Sequence, residues 1–473
     1  MKLDKEFDTI CAISTPLGPG GIGIIRLSGP KSLEILRSIF QPIKKDCPYH
    51  SHRLYYGFIV DKKNDEIIDE ALCVYMKAPK TYTKEDVVEI QCHSGPAVLS
   101  RVLQACLEQG ARLAEPGEFT KRAFLNGRIS LSQAEAILDI ITAQGQGLST
   151  LAAHGLTGAL SNEISKIKEE LLFCISALEV AIDYPEDDSE IIGSENITKR
   201  LKETVIDGLE RLIDAFEKSK IQRFGAKVLL VGKPNAGKSS LLNALCCEER
   251  AIVTEIPGTT RDILEKQIDI EGIPVILIDT AGIREAPNVI EKMGIEKIED
   301  FAKDATLFLW LIDIESGFGE EDEAVLKFLL NHKNIKKIVV FNKIDKVTNF
   351  REKGAKILKI INSHFKEQEL PYLFISAKQY KGLDELTEMI FKVLVGERAS
   401  QEIKIAPNLR QKQVMEQALS FVRKAYNGLI NGISPELIAF DLRQALNSLG
   451  EITGETATEE ILDRIFSNFC LGK

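Results

Sequence analysis

The residues GKPNAGKS, Gly232–Ser239, stand between a short apolar run and a helical pattern, and they fit G-x-x-x-x-G-K-[ST]. Glycines at these positions let main-chain N–H groups close on phosphate oxygens, and the helix N-terminus that follows adds a favourable dipole. Lys238 is placed to reach the β- and γ-phosphates, and the Ser239 hydroxyl to ligate Mg²⁺. Four further pieces follow in the order a guanine-nucleotide site needs. DTAG (Asp279, Thr280, Ala281, Gly282) ends an apolar run and would meet the metal and the γ-phosphate. NKID (Asn342, Lys343, Ile344, Asp345) ends another. A carboxylate at Asp345 accepts both guanine N1–H and N2–H₂, a donor pair that adenine lacks. SAK (Ser376, Ala377, Lys378) completes the base pocket, and TEIPGTTRD, from Thr254, offers a threonine that can close on Mg²⁺ as a switch. Five motifs in register imply a GTP-binding domain. Its hydrolytic groups are less evident: the position after D-x-x-G, glutamine in Ras-like enzymes, is Ile283. Neither Arg261 nor Arg284, near the switches, identifies itself as an arginine finger.

The elements that must position these motifs divide the chain into three textures. Residues 1–122 alternate short apolar strands (TICAIS, IGIIRL, LYYGFIV, ALCVYM, VVEIQC) with two helical patterns, which predicts an α+β domain. Residues 123–222 carry long 3.6-period segments such as LSQAEAILDIITA and ISKIKEELLFCISALEVAI, a helical domain. Residues 223–395 alternate strands (KVLLV, VILID, LFLWLID, KIVVFN, YLFIS) with helices, as a parallel doubly wound P-loop domain does. Residues 396–473 turn helical again, with a last helix expected over Ile461–Phe469, and are expected to pack on 123–222. The nucleotide domain then becomes an insertion, and the fold class is multidomain α+β and α/β. GPGGIG (Gly18–Gly23) satisfies G-x-G-x-x-G, but the IIRL after it reads as a strand. It is therefore expected to be a turn with several positive-φ glycines, without a dinucleotide.

Bulk composition sets limits on the class. The chain has 473 residues, 44% of them hydrophobic and 27% charged, with a formal net charge of −10. That balance argues against indiscriminate nucleic-acid binding through a basic surface. No apolar run approaches the roughly 20 residues of a membrane span, and the first residues lack a secretory pattern. Nine cysteines without a CxxC pair favour reduced thiols and a cytoplasmic setting, with Cys246 and Cys247 structural on a helix.

In KPNAGKSSLLNAL, TEIPGTTRD, DTAGIREAPNVIEKMGIEK, TPLGPGGIGIIRLSG, TYTKEDVVEIQCHSG, PGEFTKRAFLNGRISLSQAEAI and the closing Cys-x-Gly-Lys, the chain resembles the MnmE (TrmE) family of bacterial tRNA-modification GTPases. The resemblance runs through essentially the whole chain in order. It implies GTP contacts at Asn235, Ala236, Gly237, Lys238, Ser239 and Ser240, at Thr254, Glu255, Ile256, Pro257, Gly258, Thr259 and Thr260, and at the later motifs. It further implies Mg²⁺ on Ser239 and Thr260, and K⁺ on the Asn235 side chain and the carbonyls of Thr254, Ile256 and Thr259. Glu291 takes the water-orienting role, although the residue alone reads as a solvated helix acid. The family implies dimerisation and a one-carbon tetrahydrofolate held by Arg26, Glu89, Arg128 and Lys473, with Arg128 standing where relatives carry lysine.

Cys470, three residues before Lys473, then becomes a nucleophile or general base facing the folate one-carbon unit; read alone it is a packing thiol at a helix end. The activity implied is a K⁺-dependent GTPase that works with an FAD-containing partner, MnmG. Together they place aminomethyl or carboxymethylaminomethyl at C5 of the tRNA wobble uridine. The carbon donor is 5,10-methylenetetrahydrofolate, for which 5-formyltetrahydrofolate is an analogue. Two alternatives remain open from the residues: a regulatory or ribosome-assembly GTPase without folate chemistry, and a self-sufficient folate-dependent transferase regulated by GTP.

Overall fold

The computed structural model describes residues 8–18, 20–44, 48–143, 145–183, 194–247, 265–279, 299–365, 369–396 and 405–473. They form two compact units. The first comprises residues 1–142, 152–213 and 407–473, and the second residues 143–151 and 214–406.

The first unit opens with a seven-stranded sheet in the order β3-β4-β5-β6-β2-β1-β7. These are β1 (Ile10–Ile13), β2 (Gly23–Ser28), β3 (Phe40–Pro42), β4 (Arg53–Asp61), β5 (Glu66–Met76), β6 (Val87–Cys92) and β7 (Arg112–Leu113). All neighbours are antiparallel except β1 and β7. Alternate residues of β2 are buried, as one covered face of a sheet requires. Ile25 and Leu27 meet Ile35 and Leu36 of helix Ser32–Ile39, and Leu99, Val102 and Cys106 of helix Pro96–Glu108 complete the core. The strand expected after GPGGIG is β2, but the described glycines of that turn, Gly18, Gly20, Gly21 and Gly23, keep ordinary φ values. Closeness is what the turn demands: a Cβ on Gly23 would stand 2.7 Å from Leu99 Cδ2, and the Ser94 hydroxyl donates to the Gly20 carbonyl at 2.5 Å.

In the helical part of this unit, helix Pro435–Thr453 packs on helix Ala159–Asp183, and helix Leu409–Ile430 packs in turn on Pro435–Thr453. A buried polar clamp holds the distant segments together. Glu135, 7% exposed on helix Leu131–Thr142, accepts from Arg410 Nε at 2.7 Å and Nη2 at 2.8 Å and from Gln411 Nε2 at 2.6 Å. Asn408 caps the start of helix Leu409–Ile430 by accepting from the Gln411 amide. The last helix runs Glu459–Phe466 instead of Ile461–Phe469. Thr458 caps it two residues early, and residues 467–469 turn away so that Phe469 joins Leu131, Leu462 and Phe466 in a small core.

The second unit holds a six-stranded sheet in the order β13-β12-β11-β8-β10-β9. Its strands are β8 (Ala226–Val231), β9 (Glu265–Ile270), β10 (Ile273–Asp279), β11 (Leu307–Asp313), β12 (Lys336–Asn342) and β13 (Tyr372–Phe374). Every residue of β11 is buried, the pattern of a strand covered on both faces. Five strands are parallel as expected, whereas β9 pairs antiparallel with β10. A two-residue connection at Glu271–Gly272 permits only that hairpin, since a parallel neighbour needs a long crossover. Gly147 belongs to this unit, where its amide N–H donates a hydrogen bond of 2.8 Å to the Gly272 carbonyl.

Candidate functional site

The phosphate loop leaves the carboxyl end of β8 and enters helix Lys238–Cys247, the strand–loop–helix context its sequence requires. Lys238, 6% exposed, donates to the carbonyls of Gly232 at 2.8 Å and Lys233 at 3.0 Å, so its ammonium is held across the loop. Asn235 lies in the left-handed region at φ 62° and is exposed. Gly237, at φ 99°, admits no side chain, because a Cβ would stand 2.3 Å from Asn342 Nδ2. Ser239 Oγ donates to Asp279 Oδ2 at 2.6 Å, and Asp279 is fully buried at the end of β10. A hydroxyl and a carboxylate converging beside a phosphate loop are hard oxygen donors and fit Mg²⁺. Ser240 is exposed on the first turn of the helix.

Asn342 ties the phosphate loop to the base motifs. Its Nδ2 donates to the Ala236 carbonyl at 2.9 Å, and its Oδ1 accepts from the amides of Lys343 at 2.8 Å and Ala377 at 3.1 Å. Asp345 is exposed at the end of that strand, where the Ser376 hydroxyl donates to it at 2.6 Å and holds its carboxyl below the ordinary 3.8. Lys378, two residues after Ser376, is exposed. Parallel strands end side by side at the same edge, which is why motifs far apart in the chain assemble here. The expected switch and catalytic residues Thr254, Glu255, Ile256, Pro257, Gly258, Thr259, Thr260, Thr280, Ala281, Gly282 and Glu291 lie outside the described residues, as do Arg261, Ile283 and Arg284.

The first unit gathers the second set of expected residues. Arg26 on β2 donates from Nε to Glu89 Oε1 at 2.9 Å and pairs through Nη2 at 2.8 Å, across the register that sets them opposite on β6. Its guanidinium carbon lies 5.5 Å from the Tyr82 ring centre and 5.8 Å from that of Phe119. Arg128 stands over Tyr82 at 4.7 Å and donates to the Tyr82 carbonyl at 3.0 Å. Gly472 and Lys473 reach the same place. The Gly472 carbonyl accepts from Ser14 Oγ at 3.1 Å and Arg26 Nη1 at 3.5 Å, and the Phe119 amide donates to the Lys473 main-chain oxygen at 3.2 Å. Gly472 has φ 87°, and a Cβ there would sit 2.3 Å from the Ile13 carbonyl, so only glycine brings the tail in. Cys470 is exposed. By contrast, burial pushes the Cys11 thiol up to about 12 and the Cys92 thiol up to about 11. Sequence reading passed over Tyr82, Phe119 and Ser14, whose partners are set by sheet topology; the TYTKEDVVEIQ segment was the available signal.

The fold and the motif geometry define a P-loop guanine-nucleotide hydrolase. Residues 131–470 match the family model described as the MnmE helical domain, and residues 9–128 match that of the GTP-binding protein TrmE N-terminus. The tRNA modification GTPase MnmE of Carboxydothermus hydrogenoformans is 43% identical over 472 residues, covering 98% of this chain and 99% of that protein. That of Thermoanaerobacter pseudethanolicus is 44% identical over 470 residues, covering 99% and 100%. A solved structure of Era in complex with MgGDPNP and a 16S ribosomal RNA fragment matches at 30% identity. It covers 41% of this chain and 66% of that one with a TM-score of 0.30, too low to bear on the fold. The chain belongs to the MnmE family of tRNA modification GTPases. It binds GTP and is a GTP hydrolase acting in tRNA modification.

Proposed function

We propose that this GTPase, with the FAD-containing partner MnmG in a hetero-oligomer, adds aminomethyl or carboxymethylaminomethyl to C5 of the tRNA wobble uridine. The carbon donor in this reading is 5,10-methylenetetrahydrofolate. The observation that carries it is the Arg26–Glu89 pair flanked by Tyr82, Phe119 and Arg128, with the Gly472–Lys473 tail laid against it. A carboxylate paired with an arginine that lies against aromatic rings fits the N–H edge of a pterin, and cationic groups fit the folate's glutamate carboxylates. Arg26, Glu89, Arg128 and Lys473 would hold the folate, which supplies an electrophilic one-carbon unit when bound. Cys470, exposed and three residues from Lys473, is the thiol available to that unit.

In the nucleotide domain, Ser239 and Thr260 bind Mg²⁺ in this reading. Asn235 and the carbonyls of Thr254, Ile256 and Thr259 take K⁺, and Glu291 orients the attacking water. Residues 1–122 act as the dimerisation and folate domain, 123–222 with 396–473 as the helical domain, and 223–395 as the nucleotide domain, in a cytoplasmic homodimer. Among the described residues no helix is long and apolar enough to cross a membrane. Calorimetry with 5-formyltetrahydrofolate tests the folate reading. Binding to the wild type, weakened at least tenfold or so by Arg26→Ala or Glu89→Gln, is expected from loss of charge-assisted contacts. Absence of binding to the folded wild type would overturn it.

A further inference from the structure

The loop after β11 holds one lysine from each of two nucleotide motifs. Asp313, at the end of β11, accepts from Lys343 Nζ at 2.6 Å and folds its own loop by accepting from the Glu315 amide at 2.9 Å. A few residues on, Lys233 of the phosphate loop donates to the Gly317 carbonyl at 2.7 Å and to Asp322 Oδ2 at 2.8 Å. The Asp322 carboxylate is fully buried, also accepts from the Gly319 amide at 3.1 Å, and leaves Oδ1 without a hydrogen-bond partner. Lys233 is the only cation paired with it among the described residues. A buried, half-satisfied ion pair adds little stability over an apolar pair of similar volume. What it does supply is direction. The Lys233 carbonyl is one of the two that hold the Lys238 ammonium, so anchoring the Lys233 side chain fixes the main chain that aims Lys238.

We infer that the Asp313–Gly319 loop braces the phosphate loop against the base motif, and that Lys233 and Asp322 are positioning residues for nucleotide binding. They touch no nucleotide themselves and act through Lys238. The inference rests on the GTPase activity of the family and adds to it Lys233, at a variable position of the phosphate-loop motif, and Asp322, which lies outside every nucleotide-binding motif.

The test measures GDP and GTP affinity, steady-state GTPase kinetics and thermal unfolding on the full chain carrying Lys233→Met, Lys233→Arg, Asp322→Asn or the pair Lys233→Met with Asp322→Leu. Lys233→Met and Asp322→Asn are expected to raise both Kd values and KM about tenfold, with a smaller change in kcat. Lys233→Arg is expected to stay within about twofold, because it keeps the charge and the donors. The double variant separates positioning from stability. It should regain the wild-type Tm, having removed both buried charges, while affinity stays low. Wild-type affinity in folded Lys233→Met, or affinity recovering with Tm in the double variant, would overturn the inference. If Lys233→Met does not fold, the double variant and Lys233→Arg decide it by the same criteria.

Discussion

Asp345, the residue proposed to select guanine, has little burial. Its carboxylate is exposed, oriented by the Ser376 hydroxyl at 2.6 Å, and held below its ordinary 3.8 by that bond first of all. A lowered value in the folded chain means that the ionised form persists as the pH falls. Its contribution is present above 3.8 and is lost only as the pH drops through the folded value. GDP binding measured by fluorescence should therefore show no loss with a midpoint above about pH 4 assignable to this residue. Asp345→Asn should weaken GDP about a hundredfold and improve xanthosine diphosphate, whose C2 oxygen needs a donor. Unchanged preference between the two bases would place base recognition elsewhere. Asp345, Asn342 and Lys238 were legible in the sequence because each belongs to a fixed motif beside a strand. Asp313 and Asp322 were not, since their partners Lys343 and Lys233 are about 30 and 89 residues away and only folding brings them near.

Among the elements, the clamp at Glu135 shows how segments remote in the chain are joined. Arg410 Nε and Nη2 and Gln411 Nε2 all donate to one carboxylate that is 7% exposed. Removing it leaves a mostly buried guanidinium without its partner. Glu135→Ala should cost about 3 kcal/mol in urea unfolding of the first unit, where a change under about 0.5 kcal/mol would mean that water replaces the carboxylate freely. The strands β8, β11 and β12 were legible as short apolar runs, helix Ala159–Asp183 from its 3.6 period, and the last stretch only as helical in texture. The strands β3 and β7 hold three and two residues and carry no period to detect. The antiparallel β9 was passed over because EKQIDI alternates polar and apolar residues weakly, and its pairing follows from the short turn at Gly272. The turn at GPGGIG reads in sequence as a need for positive φ; in the fold its glycine at position 23 answers to the nearness of Leu99.

At the scale of the whole molecule, the two units carry separate groups of polar residues. One carries the phosphate loop, Asp279 and the base motifs at one edge of its sheet. The other carries Arg26, Glu89, Tyr82 and Arg128 with the Gly472–Lys473 tail. The nearly full-length match to tRNA modification GTPases spans both units. The net charge of −10 argues against a broadly basic surface for a polyanion. Gly472 gives the tail a geometric reason to exist, since its docking at Ile13 and Arg26 sets where Lys473 lies and confines Cys470 to that neighbourhood of the chain. The most direct test of the account is nucleoside mass spectrometry on tRNA from cells lacking this protein, complemented with the wild type or with Cys470→Ser. The wild type should restore the C5-substituted wobble uridine, and Cys470→Ser, expressed to the same level, should not. Full restoration by Cys470→Ser would contradict the role given to the thiol, and failure of the wild type beside a compatible partner would contradict the wobble-uridine assignment itself.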